Sequence, residues 1–139
     1  MADFPTELGI LVCLALLAAS LWIPYIIGVN TEPEREGAAD PFVRPLAQSE
    51  MRPWVHRAYR AHLNLLEQFL PFAVVILVLD RVGGFNTITY WTAIIFFWLR
   101  VAHAAGMITG WATFPVRPLL FIAGWMCILV LGWQVFASI

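Results

Sequence analysis

The sequence contains no lysine, only two cysteines and little charge of either sign. Each shortage excludes something. Charged residues make up 12 % and apolar residues 61 %, whereas a soluble domain carries about a quarter charged residues. An ordinary water-soluble fold is thereby excluded. Cys13 and Cys127 both fall inside apolar runs, so they are expected as small packing residues rather than a disulfide or metal ligands, and no metal is expected. Basic residues are missing from the N-terminus too. There Asp3 and Glu7 flank the start of an apolar run that continues to Val29, which reads as a retained first span and not as a signal peptide. No internal repeat or low-complexity segment is visible. With lysine absent, eight arginines form the whole basic set. Such a set suits anion binding, because a guanidinium keeps its charge when desolvated and grips carboxylates in a bidentate fork; codon bias would explain it equally. The net charge of −1 says nothing about partners, and no nucleic-acid partner is expected.

What the chain does have is uninterrupted apolar length. Leu8 to Val29 carries no charge over 22 residues, and Leu119 to Ile139 none over 21. Each is long enough for one span, since about 20 helical residues cross about 30 Å of hydrocarbon. The reading is an all-α integral membrane four-helix bundle, one domain over residues 1–139, with helices at about 6–29, 54–80, 87–109 and 114–138. Pro24 is expected to kink the first helix near its end. The segment 30–53, rich in Pro and acids, is the one real loop outside the bilayer. Gly83 and Gly84 build a tight turn, and Thr113 is expected to cap the fourth helix with Pro115 in its first turn. Arg35, Arg44, Arg52, Arg57 and Arg60 cluster between residues 30 and 60, Arg117 follows the third connection, and the opposite side has only Arg81. That asymmetry puts the first and third loops in the cytoplasm and both termini on the non-cytoplasmic side. So short a single-module chain suits a bacterial inner membrane. Trp22, Trp54, Trp91, Trp111 and Trp133 fall near span ends, as interfacial anchors would, whereas Trp98 and Trp125 are expected to pack between helices.

The second helix raises a question of length. Its unbroken apolar run, Phe69 to Leu79, has 11 residues, and about 16 Å of helix is too short to cross. The span must reach back through Glu67, Asn64 and Arg60. Arg57, Arg60, Asn64 and Glu67 are spaced i, i+3, i+7, i+10, which places them within about 80° of one another on a helix. The third helix repeats the theme with Arg100 and His103. An Arg or Asp at the centre of a span costs on the order of 3 kcal/mol on insertion scales, so such groups avoid lipid and pair, pack or line a polar cavity. Glu67 paired with Arg100 or Arg60 would be structural glue, and Asn64 a cross-helix hydrogen bond. Yet three arginines at membrane depth (Arg60, Arg100, Arg117) face one carboxylate, Glu67. Even complete pairing leaves positive charge over, and that surplus predicts an anionic ligand. Arg117, in the first turn of the fourth helix, either stabilises an anion there together with the helix N-terminus or snorkels to the interface.

Three segments carry a resemblance. "RAHLNLLEQFLPF" (60–72), "LRVAHAAG" (99–106) and "FPVRPLLF" (114–121) resemble, in order and spacing, the helix signatures of the membrane-associated proteins in eicosanoid and glutathione metabolism, MAPEG. The likeness runs from about residue 52 to residue 125; before that only length and hydropathy agree. It implies a homotrimer of four-helix bundles with glutathione bound at the subunit interfaces. Arg60, Asn64 and Glu67 would line the glutathione site, with Arg57 on the same stripe; Glu67 would take the ligand's amino group and Arg60 a carboxylate. Arg100 and His103 would stand in the neighbouring part of the pocket, and Arg117 would be the catalytic residue holding the thiol as thiolate.

The implied activity is a membrane-bound glutathione transferase or peroxidase, with glutathione as cosubstrate and a lipophilic small molecule as its second substrate. Met107 stands where active members often have Tyr, and Pro118 and Phe121 stand near positions where eicosanoid-specialised members place a hydroxyl. Those departures argue against a prostaglandin- or leukotriene-forming role. They also motivate an alternative, a non-catalytic trimeric membrane protein that holds a lipid or other anion in the same Arg-rich pocket. Tyr25 and Tyr59 are the remaining candidate hydroxyls, and His62 falls off the polar stripe.

Overall fold

The computed structural model describes residues 4–33 and 47–139. The middle of the first loop, with Arg35 and Arg44, lies outside them, as does Asp3. The described residues form helices and turns, with no strand. The helices are α1 (Thr6–Ser20), α2 (Ile23–Asn30), α3 (Pro53–Val82), α4 (Thr87–Thr109) and α5 (Val116–Ala137). Taken together α1 and α2 make one span, so four stretches are long and apolar enough to cross a membrane.

The first span differs from a single helix over 6–29. It breaks at Leu21–Trp22 and resumes at Ile23, with Pro24 in the first turn of α2. Proline has no N–H for the carbonyl four residues back and its ring crowds that carbonyl, so the chain stops one helix and begins another. Pro71 has no such effect: α3 runs unbroken through it for 30 residues. At about 1.5 Å per residue α3 is about 45 Å long. It therefore outreaches the hydrocarbon and can carry polar groups at both ends.

Short connections force neighbouring helices antiparallel. α3 ends at Gly83, left-handed at φ 67°, which a residue with a Cβ adopts poorly. Three residues later Asn86 caps α4, its side chain accepting from the N–H groups of Ile88 and Thr89 at 2.8 and 3.1 Å. At the start of α5 no side chain caps the helix; the N-cap position falls on Pro115, after a cis Phe114–Pro115 peptide, and not on Thr113.

The core is a thin apolar seam. Leu14, Phe72, Ile76, Leu79, Phe96 and Leu131 are fully enclosed. On α3 the buried positions Ala58, Ala61, Leu65, Phe72, Ile76 and Leu79 recur at helical spacing. The outward faces are equally apolar, with Leu70, Leu119 and Phe136 among many large exposed side chains, as a surface solvated by lipid requires. Trp98 and Trp125 belong to that outward face, 63 % and 50 % exposed, and do not pack between helices of the chain. Phe96 and Arg100 take the inward face of α4, and residue 98, two positions from each, must point the other way. Cys13 is exposed on α1 and is not a packing residue, whereas Cys127 is half-buried against the core; both are free thiols.

The ends of the first loop are tied together by Arg52. Its Nε meets Glu32 Oε1 at 3.0 Å, and its Nη2 donates to the Gly28 carbonyl and to Thr31 Oγ1 at the end of α2. Arg52→Ala should therefore lower unfolding stability by about 1 kcal/mol, the range for a partly exposed charge-assisted cluster. Glu32→Gln, which keeps an acceptor, should cost less. Equal melting temperatures for Arg52→Ala and wild type would show that the clasp contributes nothing.

Candidate functional site

The start of α3, the end of α4 and the start of α5 come together at one end of the bundle. A cavity of about 450 Å³ opens between them, lined among others by Asn64, His103, Phe114, Arg117, Phe121 and Ile122. That volume lies in the ~300–1,000 Å³ range of small-molecule pockets. Its wall is mostly apolar, with a few polar groups placed where a ligand would be oriented.

Asn64 is 6 % exposed, and its amide nitrogen reaches the Met107 sulfur at 3.4 Å, a weak acceptor. His103, also buried, sets its ring centroid 6.2 Å from that of Phe121. Arg117 is exposed at the mouth. These three of the seven residues read from the sequence meet in the cavity.

The other four take different places. Arg57 donates from Nε to the Met107 carbonyl at 3.1 Å and lies flat against Gly110, whose φ of 87° ends α4. A Cβ at Gly110 would stand 3.2 Å from the guanidinium carbon. Arg57 is thus the cation at the C-terminal end of α4, where carbonyls lack helical partners and the helix dipole is negative. Arg100 is buried behind Phe121, donating to the Leu120 carbonyl, and does not line the cavity. Arg60 is half-buried and Glu67 exposed, and neither lines the cavity. The polar stripe of α3 therefore divides. Asn64 turns inward with the core-facing positions, and Glu67, three residues on, turns outward with Leu66 and Leu70.

The surplus of positive charge persists in the folded chain. Among the described residues the one carboxylate–guanidinium pair within 4 Å is Arg52–Glu32. Arg60, Arg100 and Arg117 are not matched to an acid there, and Glu67 is not matched to a base. No group of three or more potential metal ligands occurs among the described residues.

The start of α5 contributes less free N–H than an open helix end would. The Arg117 N–H is donated to the Thr113 carbonyl at 3.0 Å, and Pro118 has none to offer. The positive group at the cavity mouth is accordingly the guanidinium itself. Met107 is buried and its sulfur is engaged by Asn64, while Pro118 and Phe121 line the wall, so those three positions bring no hydroxyl. Thr113 does line the cavity. Tyr25 and Tyr59 pack against each other at a tilt of 46°, ring centroids 5.2 Å apart, and do not line it. Nor does His62.

Sequence reasoning missed Gln68, 4 % exposed and bonded to the Phe121 carbonyl at 2.9 Å. Its signal was there: an amide inside a span, four residues after Asn64 and hence on its face. Phe114 and Ile122 left no signal, being two apolar residues among many.

Four spans around a thin core make this a multi-pass membrane protein, with a cation-bearing cavity of small-molecule size at one end. The chain belongs to the MAPEG family, whose profile matches residues 9–137, nearly the whole length. That family includes glutathione transferases and peroxidases and generally uses glutathione. A comparison with curated proteins gives no match.

Proposed function

We propose that the protein is a membrane glutathione transferase or peroxidase that holds the glutathione thiol as a thiolate and presents it to a lipophilic electrophile. The observation that carries this reading is the unmatched charge at one end of the bundle. Arg117 sits at the mouth of the cavity beside Asn64 and His103, with no carboxylate to neutralise it among the described residues. Glutathione supplies two carboxylates and one ammonium, the complement of a site richer in Arg than in acid.

Arg60 and Glu67 do not line the chain's own cavity, and Glu67 is exposed on the outer face of α3. In a homotrimer they would complete a neighbour's site, Arg60 toward a glutathione carboxylate and Glu67 toward its ammonium. Arg57 and Arg100 support the site by holding α4 and α5, since their guanidinium groups already engage backbone carbonyls. Arg117 would stabilise the thiolate. A free thiol has a pKa of about 8.5, so only a few per cent is nucleophilic at pH 7; a cation against the sulfur raises that fraction. The thiolate then attacks an electrophilic carbon, forming a thioether as the leaving group departs with its electron pair, or it attacks a peroxide oxygen, breaking the O–O bond to give glutathione sulfenic acid and an alcohol once the released alkoxide takes up a proton. The apolar wall of Phe114 and Ile122 gives such a substrate a route from the lipid. The arginine asymmetry puts this end of the bundle on the cytoplasmic side, with both termini opposite, which fits a bacterial inner membrane.

Titrating glutathione into the purified protein tests the reading. At 100 times its Kd, a ligand that binds only the folded state should add about 2.7 kcal/mol of stability. The melting temperature should climb accordingly, and thiolate absorbance should appear at neutral pH. If the wild type shows neither response, the proposal fails. The second reading, a non-catalytic holder of a lipid or other anion, draws on the missing hydroxyl at Met107; it expects stabilisation by an anion with no thiolate signal and no turnover.

A further inference from the structure

α5 exposes bare backbone at Gly124, and two buried side chains use the opening. Arg100, 1 % exposed on α4, donates from Nη2 to the Leu120 carbonyl at 2.6 Å. Gln68, 4 % exposed on α3, donates from Nε2 to the Phe121 carbonyl at 2.9 Å. The Cβ of a helical residue leans back over the turn before it. At position 124 it would stand 2.5 Å from Gln68 Oε1 and 2.6 Å from Arg100 Nη2. Only glycine leaves room for two other helices to reach these carbonyls.

Arg100 also lies against the Phe121 ring, while Gln68 holds only the backbone of that residue. The Arg100 guanidinium carbon lies 5.9 Å from the Phe121 ring centroid and 5.7 Å from that of Phe96. Phe121 in turn lines the cavity with Arg117. Residues 117, 120, 121 and 124 are spaced i, i+3, i+4, i+7 and so share one face of α5. Before that anchor the helix is loosely held: its N-terminus has no side-chain cap, and residues 113–117 are exposed. A buried Arg without a carboxylate is a poor device for stability alone. Arg100 Nε and Nη1 and Gln68 Oε1 have no hydrogen-bond partner, so these polar groups are buried at a cost that packing by itself does not explain.

We infer that Gln68, Arg100 and Gly124 form an interhelical clamp that fixes the first turns of α5 and thereby positions Arg117 against the glutathione sulfur. None of the three needs to touch the ligand; they are positioning residues. The inference rests on the reading of Arg117 as the thiolate-stabilising group, one turn ahead of the clamped carbonyls.

Two variants of the full chain test it, Gln68→Leu, which removes the donor at similar volume, and Gly124→Ala, which closes the opening. Backbone amides of residues 119–125 should exchange hydrogen about tenfold faster, as local opening becomes easier, with the α3 core over 72–79 unchanged. The pH midpoint of thiolate formation in bound glutathione should rise by about one unit while glutathione affinity changes less than about threefold, because Arg117 is displaced and not removed. Faster exchange without a moved midpoint would make the clamp merely structural and overturn the positioning role. Unchanged exchange would overturn the clamp itself. A silent wild type is a separate outcome: it removes the thiolate reading and this inference with it, but leaves the exchange result to stand as a statement about α5. Should Gly124→Ala fail to fold, Gln68→Leu alone decides.

Discussion

Arg117→Ala should lower kcat for glutathione conjugation at neutral pH by about 100-fold, the scale seen when one charge-stabilising donor is removed from a reaction centre. The KM for glutathione should move little, because its carboxylates and ammonium would be gripped elsewhere, by Arg60, Glu67 and Asn64. The sign with pH follows from the chemistry of the sulfur. Removing a cation disfavours the thiolate, so the thiol pKa climbs back toward its free value of about 8.5. Activity of the variant should therefore recover as pH rises, while the wild type stays flat over the same range. Arg117→Lys should retain part of the rate, since it keeps the charge and loses only the planar fork. A rate loss of the same size at every pH would contradict the proposed role, because it would point to lost binding or folding rather than to a lost thiolate.

Phe72→Ala should be the most damaging change in the packed seam. The rings of Phe72 and Phe96 stack at 4.2 Å between centroids and 6° between planes, both fully enclosed between α3 and α4. Deleting such a ring costs about 3 kcal/mol in known cores. Within lipid the transfer part of that figure shrinks, since acyl chains are as apolar as the core, but the lost dispersion contacts and the void remain. Leu70→Ala on the same helix is the matched control. Leu70 is 67 % exposed toward lipid, so its loss should stay within about 0.5 kcal/mol. Equal destabilisation of the two variants, read from reversible unfolding in detergent, would mean that the α3–α4 seam does not hold the bundle.

Three residues of the cavity wall, Asn64, His103 and Arg117, were legible as polar groups inside or beside apolar runs. Arg60, Asn64, Glu67, Arg100, His103 and Arg117 stand out because ionisable and amide groups are rare in apolar runs and their cost in lipid demands an account. What a helical wheel could not show is how each is used. Arg57 and Arg100 read as ligand contacts, yet their guanidinium groups sit on the Met107 and Leu120 carbonyls. Both resolve into helix-to-helix bonds only once Gly110 and Gly124 bring bare backbone within reach.

By itself, then, the sequence settled that there are four spans, because hydrocarbon thickness fixes how long an apolar helix must be, and its three signature segments carried the family. Tertiary structure alone decided that Trp98 and Trp125 face outward, and that Asn64 turns in while Glu67 turns out. In a membrane both faces of a helix are apolar, so no contrast of hydrophobicity separates the side that meets a neighbour from the side that meets lipid. Only contact between helices makes that choice.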